Sequence, residues 1–256
     1  MIARSCLVTG ASRGLGAAIA EELLAAGHRV VGTWCSAPGR VDFLGASYPD
    51  TFAAVCMDQR SASSVNAAIS KACEHFGPVA VLVNNAAIAE ERPFEDLDDD
   101  AWLRMLDTNL VGPVRLVRAC LPAMREAKWG RILNVSSIGG QWGGLRQVHY
   151  AASKAALINF TRSLAKLYAC EGVVPIALAP GLFETDMTAA ELASPAGKTK
   201  LAAIPAGRSG SPQELGQLVL SLLGPAGDYL AGQTINANGG MYYQTYMQFQ
   251  GERAMQ

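Results

Sequence analysis

The runs "CLVTG", "RVVGTW", "FAAVCMD" and "VAVLVNNA" are short and apolar on both faces, and helical spacing intervenes between them, first in "AAIAEELLAAG". A strand with two apolar faces needs helices above and below it, which an antiparallel sheet with one wet face does not supply. The second half keeps the alternation: "GRILNVSS" as strand, 151–169 as helix, "VVPIALAPG" as strand, 212–223 as helix and "GQTINANGG" as a last strand. The predicted fold is α/β, a Rossmann-like doubly wound parallel sheet in three layers, α/β/α. No repeat or low-complexity linker divides residues 1–256, so one domain is expected. Pro175 cannot donate to a ladder, and the strand around it is expected to begin at Ile176. Segment 184–211, with "ASPAGKTK" and "PAGRSGSP", reads as the most loop-like region and as a substrate lid, the plain alternative being a surface connection.

Half of the residues are hydrophobic, 17% are charged and the formal net charge is −1. Basic residues form no run, so no nucleic-acid partner is expected. No apolar stretch approaches the roughly 18–20 residues of a membrane span, and "MIARSCLVTG" enters a strand pattern at once, which points to the cytoplasm. The six cysteines are scattered without a CxxC pair, so neither metal nor disulfide is expected.

"TGASRGLG", residues 9–16, joins the first strand to the first helix and puts Gly10, Gly14 and Gly16 where the backbone turns tightly and approaches a ligand. The spacing alone recurs by chance. Between a strand and a helix it is a dinucleotide cradle, with helix N-terminal amides facing a pyrophosphate. Ser12, Arg13 and Leu15 belong to the same wall. An acidic residue that would take the ribose hydroxyls of NAD is missing at the end of the second strand, where Cys35 stands among Thr33, Trp34 and Ser36. Arg13 can pair with a 2'-phosphate, so NADPH is the expected cofactor; a solvated loop arginine is the alternative. Asp58, with Gln59 beside it, ends the third strand as an acceptor for the adenine amino group. Asn85, Ala86 and Ala87 end the fourth near the adenine-side ribose.

Tyr150 and Lys154, in "YAASK", are four residues apart on one helix face. A phenol near pKa 10 is expected to shift down toward neutrality beside an ammonium and an oxidised nicotinamide, and to exchange a proton with a substrate oxygen. "NVSS" ends a strand with Ser136 and Ser137; Ser137 is chosen to hold the substrate carbonyl. Asn109 in "DTNLVG" is read as kinking its helix and holding a water near Lys154.

The ordered set "TGASRGLG", "NNAA", "DTNLVG", "NVSS", "YAASK" and "APGLFETDMT" resembles the short-chain dehydrogenase/reductase family over nearly the whole chain. The resemblance implies a catalytic tetrad of Asn109, Ser137, Tyr150 and Lys154, with Lys154 also holding the nicotinamide ribose. It implies further that Pro180, Gly181, Phe183 and Thr185 cover the nicotinamide and bind its carboxamide. Within the family, "SRGLG", "IPAGRSGSPQEL" and "GQTINANGGMY" are most similar to the bacterial 3-oxoacyl-[acyl-carrier-protein] reductases, which implies an NADPH-dependent ketoreductase, a 3-ketoacyl thioester substrate and a homotetramer. An alcohol or polyol dehydrogenase, a ketoreductase of secondary metabolism and a non-catalytic dinucleotide-binding module are the alternatives.

The chain departs from that pattern in three places. "NNAA" stands for "NNAG", Pro175–Ile176 for Val–Asn, and at the carrier-docking helices Lys128 keeps one basic residue while Glu171 inverts the other. Glu171 would repel an acidic acyl carrier protein. On the substrate side, Trp142 and Gln147 in "IGGQWGGLRQVH" are candidate contacts, with packing as the alternative for Trp142. His149 has no nucleophile or ligand set to serve. The tail 242–256, rich in aromatics, is expected to dock on a neighbouring subunit, the alternative being a disordered end.

Overall fold

A computed structural model describes residues 2–241, so the tail lies outside the described residues. Seven strands form one sheet: β1 (Ser5–Val8), β2 (Arg29–Trp34), β3 (Phe52–Cys56), β4 (Val81–Asn84), β5 (Gly130–Val135), β6 (Val173–Pro180) and β7 (Thr234–Ala237). Their order is β3-β2-β1-β4-β5-β6-β7, and every neighbouring pair is parallel. The direction of winding reverses between β1 and β4. The crevice for a ligand therefore opens above the C-terminal ends of those two strands.

The helices are α1 (Gly14–Ala25), α2 (Arg40–Ser47), α3 (Ala62–Phe76), α4 (Asp99–Leu106), α5 (Gly112–Glu126), α6 (Gly139–Trp142), α7 (Val148–Tyr168), α8 (Asp186–Ala193), α9 (Pro195–Ala202) and α10 (Pro212–Leu222). Strand alternation sorts the core into two layers. Cys6, Val8, Leu133 and Ile176 face one side and meet Ile19 and Leu23 of α1 and Leu215 and Val219 of α10. Leu7, Leu82 and Ile132 face the other and meet Val65 of α3, Leu116 of α5 and Leu164 of α7. This is the three-layer α/β/α arrangement expected from runs that are apolar on both faces.

Two expectations are corrected. β6 begins at Val173, and Pro175 sits within it, in register with Ile132 of β5. The Pro175 carbonyl accepts from Gly232 N at 2.8 Å, on the side where β7 has not yet begun, since β7 joins only at Ala177. A residue's N–H and C=O point to the same side of a strand, so the missing proline donor falls where no ladder partner waits. Segment 184–211, in turn, is largely helical. Ser194 accepts from Gly197 N and Pro195 opens α9, so the serine and proline that read as loop residues are helix-start signals. The two ends of this segment are fastened together. Phe183 bridges Gly210, Glu184 N donates to Gly210 O at 2.9 Å, and Ser209 Oγ donates to Glu184 at 2.7 Å.

Candidate active site

Gly10 and Gly14 adopt φ of +69° and +55°, a left-handed backbone that glycine takes without strain. A Cβ on Gly10 would come within 3.1 Å of Ala86, and one on Gly16 within 2.2 Å of the Gly10 carbonyl. Sequence reasoning passed over the first residue of the motif, Thr9. Its Oγ1 accepts from the amides of Asn85 and Ala86, both at 2.9 Å, and so locks the end of β4 to the turn. Asn85 Nδ2 returns a bond to Thr9 O at 2.9 Å. Its amide thus shapes the turn, while the backbone of Ala86 forms the floor.

The turn leaves backbone donors open. Arg13 occupies the N-cap of α1 with no capping side-chain bond, and no acidic residue stands in the first turn. The first amides of α1 therefore lack the side-chain acceptor that usually satisfies them. Leu15 is partly buried and packs its side chain against the core, leaving its backbone to the turn. The Ser12 carbonyl accepts from Arg40 N at 2.9 Å. Thr185 reaches over from beyond β6, its Cγ2 3.5 Å from a Cβ position on Gly14.

At the adenosine end, Cys35 is exposed and its carbonyl receives the Cys56 thiol at 3.8 Å. Asp58 is half-buried and already paired. Arg60 clamps its carboxylate with Nε and Nη2 at 2.7–3.2 Å, and a backbone bond adds to the clamp. The guanidinium holds that carboxyl below its ordinary pKa and offsets only part of its charge near Cys35, whose thiol is raised first by burial and then by Asp58. Gln59 turns its side chain into the protein and offers none to a cofactor.

The residues predicted to move the proton gather at the end of β5 and on α7. Ser136 is buried and donates to Lys154 O at 2.8 Å. Ser137 Oγ accepts from Gly139 N at 3.0 Å and meets the Tyr150 phenol. Lys154 lies under the tyrosine, its Nζ 5.7 Å from the ring centroid, and donates to Val135 O at 2.8 Å. Asn109 occupies a π turn, Asp107–Val111, between α4 and α5. Its Oδ1 accepts from Ile88 N at 2.9 Å, and its Nδ2 donates to Ile88 O and, at 3.2 Å, to Ser153 Oγ beside Lys154.

Around Tyr150 the protein's own groups act against the expected downward shift. Burial raises the Tyr150 phenol above its ordinary pKa, and the bond to Ser137 opposes that only in part. Lys154 does not reverse the shift, because burial lowers its own pKa to about 8 and its ammonium is aimed at the Val135 carbonyl.

The lysine shift sets a pH dependence of stability. An unfolded lysine titrates near 10.5, so between about pH 8 and 10.5 the unfolded chain binds more protons at this position than the native one, and stability rises with pH. A shift of this size is worth about 3 kcal/mol. In paired melting curves from pH 7.5 to 10.5, wild type should therefore gain stability relative to Lys154→Met. Parallel curves would refute the buried charge.

The remaining predicted contacts divide. Pro180 accepts from Ile138 N at 3.0 Å, and Gly181 packs where a Cβ would meet Asn238 at 2.7 Å. The Phe183 ring is buried in the core against Gly210, so only its backbone can approach a nicotinamide, a correction to the implied covering role. Trp142 is 37% exposed at the end of α6, and Gln147 begins α7 with Nε2 3.5 Å from Glu91. Ala87 is exposed beyond β4.

A family model described as short chain dehydrogenase matches residues 4–195. The chain belongs to the short-chain dehydrogenases. It is 40% identical to the 3-oxoacyl-[acyl-carrier-protein] reductases of Vibrio cholerae and Escherichia coli, over 92% of this chain and 96% of theirs. It is 36% identical to an acetoacetyl-CoA reductase of Shinella zoogloeoides, over 94% of this chain and all of that one. A crystal structure described as a gluconate dehydrogenase from Agrobacterium tumefaciens superposes with a TM-score of 0.88 at 34% identity, covering 93% of this chain and 96% of that one. This short-chain dehydrogenase is an oxidoreductase with a nicotinamide dinucleotide site. Among the described residues no helix is long and apolar enough to cross a membrane.

Proposed function

We propose that the protein is a cytoplasmic NADPH-dependent ketoreductase acting on a 3-ketoacyl thioester. The observation that carries the reading is the Ser137–Tyr150–Lys154 group, two half-buried hydroxyls over a buried lysine with the phenol favoured in its protonated form, at the same end of the sheet as an uncapped glycine turn. A neutral phenol is the form a reductase needs, since it must give a proton to the carbonyl oxygen. Ser137 holds that oxygen, Tyr150 donates to it, and the Lys154 ammonium stabilises the phenolate left behind. A dinucleotide held there would supply the hydride for the carbonyl carbon. Gly10, Gly14, Gly16, Ser12 and Leu15 would hold its pyrophosphate, Lys154 its nicotinamide ribose, and the backbone of Pro180–Thr185 its carboxamide. Asp58 and Asn85–Ala87 would border the adenosine. The homotetramer and the closing of segment 184–211 over substrate belong to the same proposal.

Arg13 is exposed, forms no side-chain bond or ion pair among the described residues, and has no competing free carboxylate at the end of β2. NADPH should be preferred over NADH, and Arg13→Ala should reduce that preference about fivefold, a surface ion pair being worth up to about 1 kcal/mol. Equal use of both cofactors by wild type would refute it.

The thioester is drawn from the named activities of the reductases it resembles. Glu171 is paired with Arg125 at 2.6 and 3.2 Å, which neutralises a cation on the surface where an acidic carrier would dock. The substrate is therefore taken as a thioester recognised by its acyl end. NADPH oxidation is measured with one 3-ketoacyl group as free acid, short thioester and carrier-bound form. The thioesters should exceed the free acid by at least about tenfold in kcat/KM, with the carrier adding less than about threefold, the loss expected where charges at an interface rim do not match. Turnover of polyols or sugar acids with no reduction of any ketone would favour the second reading, an oxidative dehydrogenase, which the gluconate dehydrogenase neighbour suggests.

A further inference from the structure

We propose that Gln59 is a positioning residue that ties the cofactor floor at Ala86 to the π turn presenting Asn109, so that a single amide sets both. The inference rests on the dinucleotide-dependent reading above. Gln59 is 6% exposed, and its Nε2 donates to Ala86 O at 3.0 Å and to Thr108 O at 2.7 Å. Two carbonyl acceptors dictate which end of the amide faces them.

The Thr108 carbonyl needs this donor for a local reason. In the π turn, Gly112 N donates to Asp107 O, so the amide that would serve Thr108 in an α-helix is already used. The next residue is Pro113, which has no N–H. A buried carbonyl without a donor is costly, and Gln59 supplies the donor from 49 residues away. The fit is close on every side. A Cβ on Gly112 would come within 2.7 Å of Gln59 Cγ, and Arg115 of α5 donates both to Gln59 O at 3.2 Å and to Asp107 at 2.7 Å. Gln59 Oε1 is buried with no partner among the described residues, so the side chain is held by what its nitrogen does. Asn109 is the residue after Thr108, and Ala86 is where Gly10 meets β4. A shift of the floor is thereby passed through one side chain to the turn.

The test compares wild type, Gln59→Leu and Gln59→Glu as full-length proteins, by hydrogen exchange at amides 107–112 with and without NADPH and by steady-state kinetics. NADPH should slow exchange of this segment in wild type. Gln59→Leu should raise its exchange about tenfold in the free protein and abolish the slowing, while kcat falls about tenfold and the dinucleotide KM moves less than about threefold, the range for a buried bond to a positioned group. Gln59→Glu keeps the shape but turns a carboxylate toward two carbonyls. It should match the leucine variant at pH 8 and recover in part below pH 6, where the one O–H of a protonated carboxyl can donate to one of the two carbonyls; this pH profile also serves if Gln59→Leu does not fold. In an Asn109→Ala background, Gln59→Leu should cost no further kcat. Additive losses, or wild-type exchange at 107–112 in the Gln59 variants, would overturn the proposal. If wild type itself binds no NADPH, the functional reading falls, while the free-protein exchange still decides the fastening.

Discussion

Tyr150→Phe is expected to lower kcat for ketone reduction about 1000-fold, within the usual range for loss of a positioned general acid, and to leave the dinucleotide dissociation constant within about twofold. The change removes one hydroxyl and keeps the ring, which still stacks over the Lys154 ammonium at the same distance. Ser137 keeps its bond from Gly139 N, so the strand end stays ordered. Lost turnover can then be assigned to the missing proton. Stopped-flow single turnover with NADPH, alongside a fluorescence titration of the dinucleotide, separates chemistry from binding. Retained turnover with every accepted ketone would place the acid elsewhere. Because burial keeps the phenol protonated well past neutrality, wild-type reduction should show no loss from Tyr150 ionisation between pH 6 and 9. A fall in that range would have to come from Lys154, whose ammonium titrates at about 8.

Gly16→Ala should weaken dinucleotide binding about 100-fold. The added methyl would lie 2.2 Å from Gly10 O, 2.9 Å from Gly10 C and 2.5 Å from Asn85 Nδ2. None of these can step aside, because the first two are backbone and the third is bonded to Thr9 O. The N-terminus of α1 has to retreat from the turn. Overpacking of this kind costs about 1–3 kcal/mol or more, and about 2.7 kcal/mol corresponds to two decades in affinity. Gly27→Ala is the control. Gly27 has φ of +84° with nothing within 4 Å of a Cβ. That variant should lose about 1–2 kcal/mol of stability through its left-handed backbone and bind the dinucleotide as wild type does. Calorimetric titration of both variants reads the difference; equal binding by Gly16→Ala would mean that the turn holds no pyrophosphate.

Much of the site was legible because its signals are local. Tyr150 and Lys154 share a face through helical spacing alone, and α7 does place the ammonium beneath the ring. Gly10, Gly14 and Gly16 declare a turn through the missing Cβ, and the strand before and helix after them are read from periodicity. The choice of Ser137 over Ser136 also agrees with the geometry, since Ser136 is consumed by the Lys154 carbonyl. Pro175 misled because a proline's cost depends on whether its neighbour strand has begun, and only the β6–β7 register settles that.

The order of strands and helices, the cradle at the first turn and the tyrosine–lysine pair were thus determined by the sequence itself, because each depends on residues within a few positions of one another. Tertiary structure alone decided that Gln59 faces Thr108, that Phe183 turns inward and that burial pushes the phenol up. Most of those outcomes depend on groups far apart in the chain, and the pKa depends on how completely water is excluded around it. Desolvation is a property of the assembled interior, and no spacing of residues along a chain encodes it directly.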